Sequence, residues 1–258
     1  MRSDSNLILA VTPAQRRQAR SYGLPLAHLA YRVGGGPHLF RSSQPVAAQG
    51  GYMVIDDEGF DGRGEALPFC HEVLRECTAR GFGGVFCAFR GPRFPVLGQV
   101  VSTLGELMEG RGWPLYVPEA YGRFSPRAKV LIPTALSGGS LAQRLTDAVE
   151  RYGAGRVALE VERSALDFFL PSPTGQGAPL GRAELQALME ARRPSVFFSN
   201  ELCAHYFTYM SRENGAHFIL FDDAGSIRKK LHLARTLDIT DALLPFSQVD
   251  DLLPDLLP

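Results

Sequence analysis

Short apolar runs alternate with longer amphipathic segments along the chain, the pattern of repeated strand–helix units around a parallel sheet. Eight runs predict strands: Leu7–Val11, Leu26–Val33, Gly51–Ile55, Gly84–Phe89, Pro114–Val117, Lys129–Pro133, Arg156–Val161 and Asp241–Phe246. Most are continuous stretches of Val, Ile, Leu and Phe, as strands covered on both faces require. Between them, Pro68–Arg80 places Phe69, Val73, Leu74 and Cys77 on one face of a helix, and Val96–Glu109, Leu141–Tyr152 and Ser226–Leu237 repeat that period. The last follows Asp222-Asp223-Ala224-Gly225, whose acidic side chains can cap free N–H groups. An open doubly wound sheet shares the alternation, but eight strands in 258 residues favour a closed (β/α)8 TIM barrel.

Two stretches break the rhythm. Phe168–Leu180 is rich in Pro, Gly and Ser and reads as a long surface loop. After a helix at Gly181–Ala191 come Pro194–Phe198, Tyr206–Met210 and Ala216–Phe221, which read as a small inserted antiparallel β element between the seventh and eighth barrel strands. The expected organisation is one barrel domain over residues 1–258, with an insertion at about 170–221 and a Leu-rich carboxyl-terminal segment, Asp250–Pro258, packed on the barrel. No repeat or domain linker interrupts it.

Composition changes this picture little. Hydrophobic residues make up 45%, aromatic 10% and charged 21%, an ordinary globular balance. Lys+Arg and Asp+Glu balance at 27 each, so no global field draws the chain to nucleic acid or anionic lipid. Cys70, Cys77, Cys87 and Cys203 form no CxxC pair, and no His stands at zinc-site spacing from them. They read as small core hydrophobes in a reducing compartment. The apolar run near Leu7 is too short for a signal peptide or membrane span. The expected compartment is the cytoplasm, with no cofactor, metal, nucleic acid or membrane partner.

The glycine-rich turns complete no nucleotide motif. Gly34-Gly35-Gly36 begins neither a dinucleotide fingerprint nor a Walker loop. Ser137-Gly138-Gly139-Ser140 precedes a helix whose first N–H groups could hold an anion, or it is simply a flexible βα turn. No Gly-x-Ser-x-Gly elbow occurs, and the six histidines are scattered. Carboxylates at strand carboxyl ends matter more, because barrel active sites lie on that face. Asp56, Asp57 and Glu58 close the third predicted strand, Glu119 follows the fifth, and Glu160 and Glu162 lie at the end of the seventh. Two such groups suitably spaced could perform glycosidic acid–base chemistry, or they could merely rim the barrel and bond to loops. Phe60, Trp113, Tyr116, Tyr121 and Phe124 are read as aromatic residues near the same rims, equally suited to sugar stacking and to packing.

The segment Ala79–Arg90 (ARGFGGVFCAFR) resembles the fourth strand of family-18 glycoside hydrolases, whose run reads Gly-Phe-Asp-Gly-x-Asp-x-Asp-x-Glu. In that family the terminal Glu protonates the leaving oxygen, and the preceding Asp orients the substrate acetamido group. Here Gly81, Phe82 and Gly84 keep the frame, while Gly83, Phe86, Ala88 and Arg90 stand at the four acidic positions. Val130–Ala135 resembles the sixth-strand Met-x-Tyr-Asp pattern with Thr134 and Ala135 at its end, and Arg156–Leu159 through Pro171 resembles the seventh strand and its aromatic continuation. Phe221–Leu231 resembles the phrase opening the last helix in the spore-cortex-type branch, and Pro245 replaces the Trp that floors the sugar site.

The resemblance implies a chitinase-like barrel without its catalytic groups. General acid catalysis is commonly worth about 10²–10⁴-fold, and Arg90 is a permanent cation that opposes positive charge developing on the sugar. Three functions remain open. One is a non-catalytic barrel binding a glycan, a peptidoglycan-derived fragment or a related small ligand, with Asp56, Arg90, Tyr116, Glu119, Tyr121, Glu160 and Glu162 as candidate ligand residues. The second is a glycosidase with a relocated pair, Glu119 with Glu160 or Glu162. The third is a structural or spore-assembly protein.

Overall fold

The computed structural model describes residues 6–42, 50–172, 175–211 and 215–257. The predicted polar start at residues 1–5, Pro173 and Thr174 of the predicted loop, and Pro258 lie outside them. The chain runs β1 (Asn6–Val11), α1 (Arg16–Ala19), β2 (Leu26–Gly34), β3 (His38–Arg41), β4 (Tyr52–Asp56), α2 (Ala66–Arg80), β5 (Val85–Ala88), α3 (Pro95–Glu109), β6 (Leu115–Pro118), β7 (Lys129–Pro133), α4 (Leu141–Tyr152) and β8 (Val157–Glu160). It continues through β9 (Ala165–Leu170), β10 (Ala178–Pro179), α5 (Arg182–Arg192), β11 (Phe197–Ser199), β12 (Ala204–Ser211), β13 (Gly215–Phe221), α6 (Ala224–Thr236), β14 (Asp241–Pro245), α7 (Phe246–Val249) and α8 (Leu253–Leu256).

Eight parallel strands, in spatial order β1, β2, β4, β5, β6, β7, β8 and β14, close into a barrel through the β14–β1 pairing. All eight coincide with the predicted apolar runs. Strand parity explains why those runs are continuous. Along β5, Val85 and Cys87 face the helices while Phe86 and Ala88 face inward. Along β8, Val157 and Leu159 face outward and Ala158 inward. Both faces are therefore dry.

The barrel interior is filled by side chains. Phe86 and Tyr116 stack at 4.0 Å and 6°, with Tyr52 edge-on to both. The Tyr116 hydroxyl donates to Asp241 at 2.8 Å, and Lys129 pairs with the same carboxylate. Asp241, Lys129 and Tyr52 are first residues of their strands, so this network plugs the amino-terminal end. Burial pushes the Asp241 carboxyl up, but hydrogen bonds from Lys129, Tyr116 and Asn6 outweigh it and hold the group below its ordinary range. All four cysteines are buried free thiols. Burial pushes Cys70 and Cys77 up to about 12, which keeps them protonated core groups.

The inserted sheet runs β10-β9-β13-β12-β11, antiparallel throughout. Two expectations need correction. Phe168–Leu180 is not all loop, since Phe168–Leu170 continues β9 and Ala178–Pro179 forms β10. The insertion consequently starts before residue 170, because β9 pairs with β13 from Ala165 onward. Its apolar residues read as irregular only because Pro171 and the glycines follow at once. One sheet face packs α5 through Phe207, Ile219 and Phe221 against Leu185. The root of the sheet is fastened by a fully buried ion pair, Lys230 to Asp222 at 2.7 Å. Asp222 also accepts the Ser164 amide at 2.9 Å and the Ser226 hydroxyl at 2.7 Å. Asp223 caps α6 by accepting the Ser226 amide at 2.8 Å, as the sequence predicts. Among the described residues no helix is long and apolar enough to cross a membrane.

Candidate functional site

Parity fixes what reaches the carboxyl-terminal mouth. Val54, Phe86, Leu131, Ala158 and Leu243 face inward, so two residues on, Asp56, Ala88, Pro133, Glu160 and Pro245 ring the opening. Register agrees, with Asp56 beside Ala88 and Glu160 beside both Pro133 and Leu243. Asp56 and Glu160 stand on the third and seventh barrel strands, on opposite sides of the ring.

Arg90 comes from just beyond β5, on the fourth barrel strand, and its guanidinium crosses the mouth. It pairs with Glu160 and, at 3.3 Å, with Glu162. The arginine side chain is 64% exposed and that of Glu160 only 13%. The arginine end of the bridge faces water, so a ligand can reach it there. Burial pushes the Glu160 carboxyl up, Arg90 opposes that shift, and Glu162 adds to it. Burial likewise raises Asp56, against the Glu58 amide it accepts.

Two residues outside the predicted set organise this mouth. Asp57 is buried and accepts the Arg90 amide at 2.9 Å and the Gly91 amide at 3.1 and 3.2 Å, pinning the turn that projects Arg90. A Cβ on Gly91 would lie 3.0 Å from Asp57 Oδ2, which explains the glycine there. Thr134 is fully buried beside the mouth, its amide donating to the Glu160 carbonyl at 3.0 Å while its hydroxyl has no partner. The sequence signal for Asp57 was its place in the acidic Asp56-Asp57-Glu58 cluster. Thr134 gave none beyond its position in the sixth-strand pattern.

The structure brings together Arg90, Glu160 and Glu162, with Asp56 on the far side of the same mouth. It does not bring the other candidates to them. Tyr116 belongs to the plug at the opposite end of the barrel, and Trp113, which precedes β6, lies at that end too. Glu119 turns outward to Arg144 at 2.7 Å and Arg151 at 3.9 Å, so it does not pair with Glu160 or Glu162. Tyr121 is buried against Phe89, at 5.5 Å, with its hydroxyl unpartnered. Of the four positions where the resemblance places acids, Gly83 precedes β5, Phe86 fills the interior, Ala88 lines the mouth and Arg90 crosses it. Among the described residues no group of three or more His, Cys, Asp or Glu could hold a metal ion.

The closed parallel barrel, its carboxyl-terminal mouth and the sheet inserted after the seventh strand define the class: a TIM barrel with an inserted antiparallel sheet, a fold it shares with chitinases of solved structure. Solved structures of that fold superpose over nearly the whole chain. The Bacillus cereus spore cortex-lytic enzyme SleL matches at TM-score 0.70 and 16% identity, over 98% of this chain and 74% of that one. A chitinase from Chromobacterium violaceum matches at TM-score 0.70 and 14% identity, over 98% of both chains. A class V chitinase from Pseudomonas fluorescens matches at TM-score 0.69 and 15% identity, over 98% of this chain and 100% of that one. No family model matches the chain, and no curated protein matches it by sequence.

Proposed function

We propose that the barrel mouth binds a glycan of the amino-sugar class, such as a chitin or peptidoglycan fragment, without cleaving it. The observation that carries this reading is the guanidinium of Arg90 held by Glu160 and Glu162 across the mouth. A general acid must bring a proton to the leaving oxygen near its working pH. Arg90 cannot supply one, and its charge stabilises the ionised form of Glu160. Structures of this fold include chitinases and spore cortex-lytic enzymes, which motivates the ligand class. The inserted sheet adds a run of rings, Phe197, Tyr206 and Phe218, with successive centroids 5.7 and 5.2 Å apart. Flat aromatic faces of that kind can stack on pyranose rings. The orphaned Thr134 hydroxyl is a further polar group for a bound molecule or water to satisfy.

Thermal unfolding against chitooligosaccharides and peptidoglycan fragments tests the reading. The midpoint should rise saturably, by the equivalent of about 2.7 kcal/mol at a hundred times Kd, with no reducing ends released. Release of reducing ends that disappears in Glu160→Gln would assign a glycosidase instead. A midpoint indifferent to every amino-sugar oligomer would overturn the glycan reading and leave the barrel as a scaffold.

A further inference from the structure

The barrel mouth is rich in hydrogen-bond acceptors and short of positive charge. Arg32 pairs in register with Asp56, and Tyr31 and Val33 on either side of it face the helices, so Arg32 points inward as Asp56 does. The mouth then gathers three carboxylates, Asp56, Glu160 and Glu162, against two guanidinium groups, Arg32 and Arg90. Arg90 alone serves both glutamates. Asp56 has no ion pair among the described residues, and Arg32 acts on it only through its field, its guanidinium lying 5.9 Å from the centre of the Phe40 ring.

Donors are scarcer than acceptors. Of the ring residues, Ala88 has no polar side-chain atom, and Pro133 and Pro245 lack even a backbone N–H. Arg90 already has two of its N–H groups engaged by carboxylates. On the acceptor side, Glu162 is 30% exposed and its Oε2 has no hydrogen-bond partner among the described residues. Burial pushes the Glu160 carboxyl up despite Arg90, and burial raises Asp56 despite Arg32. The ionised form of each is stabilised by any further cation.

The nitrogen of an amino sugar comes in two forms that differ in these respects. A protonated free amine has three donors, no acceptor and a positive charge, as a lysine ammonium does. An acetamido group has one donor and a carbonyl that needs a donor in return. Building on the glycan function above, we propose that the mouth selects de-N-acetylated sugars of the glucosamine class, with the ammonium group seated against Glu162 and Glu160. Three carboxylates to two guanidinium groups leave one negative charge, which one ammonium group neutralises and a carboxylate-bearing sugar would double.

Calorimetric titration of the full chain with a glucosamine tetramer and an N-acetylglucosamine tetramer, at constant ionic strength and a pH that keeps the amine protonated, tests it. The glucosamine tetramer should bind about tenfold tighter or more, the scale of a hydrogen bond between charged groups. Glu162→Gln/Asp56→Asn should erase most of that preference, and either single replacement should reduce it. Both side chains are partly exposed, so the unliganded unfolding midpoint should stay unchanged. Equal affinity for the two tetramers, or tighter binding of the N-acetylated one, would overturn the proposal and leave the glycan function standing. No saturable heat with either tetramer would overturn it too, and the thermal series above then decides whether the glycan function falls with it. A preference that survives in the double variant, or spermine binding as tightly as the glucosamine tetramer, would trace the attraction to charge elsewhere and overturn the proposal.

Discussion

Arg90 acts on the charge of Glu160. Burial favours the protonated form of Glu160, and the guanidinium beside it favours the ionised form. Arg90→Gln removes only the second influence, so the Glu160 carboxyl should titrate at higher pH in the variant. Carbon-detected NMR titration of the glutamate carboxyls checks this, and an unmoved Glu160 would show that the arginine does not set its charge. At this scale the sequence was informative where chemistry and strand ends coincide, as at Asp56, Arg90, Glu160 and Glu162. Direction was what it lacked. Glu119 sits just past a strand end as Glu160 sits at one, yet the short helical turn after β6 aims it at Arg144 and Arg151. Tyr116 looked like a rim aromatic until its parity and its bond to Asp241 placed it in the plug.

Among the elements, the barrel strands were legible because both faces of each are buried, so each reads as an unbroken apolar run. Lone β9 was hidden by the Pro and Gly that follow it, and its identity depends on a partner, β13, some fifty residues away. What joins this inserted sheet to the barrel is polar. Asp222 and Lys230 are both inaccessible, and Ser164 and Ser226 complete the carboxylate's hydrogen bonds. Removing one partner strands the other charge without solvent. Lys230→Met or Asp222→Asn should therefore cost about 3–5 kcal/mol in denaturant unfolding. The double replacement should cost less than the sum of the two, because no charge is then left alone.

For the whole molecule, pH should act through the barrel wall as well as its mouth. His28 on β2 is buried near Arg16 and Arg20, and burial followed by those two charges pushes it down to about 4. Its folded pKa lies below the ordinary 6.5, so its contribution is complete above 6.5, declines as pH falls from there to about 4, and is absent below. The contribution is of order 3 kcal/mol at most. His28→Gln should flatten the dependence of stability on pH across that window, as followed by urea unfolding at a series of pH values. Ring closure itself has a cost in time. The pairing of β1 with β14 joins residues about 235 apart, as the Asn6–Asp241 contact records. At about 5–20 residues per second, a ribosome needs on the order of ten to fifty seconds to make the chain between them. Throughout that interval one apolar edge of β1 has no partner to cover it. Early in its life this barrel is an open sheet with an adhesive margin, and whatever shields that margin decides how much of the protein survives to close.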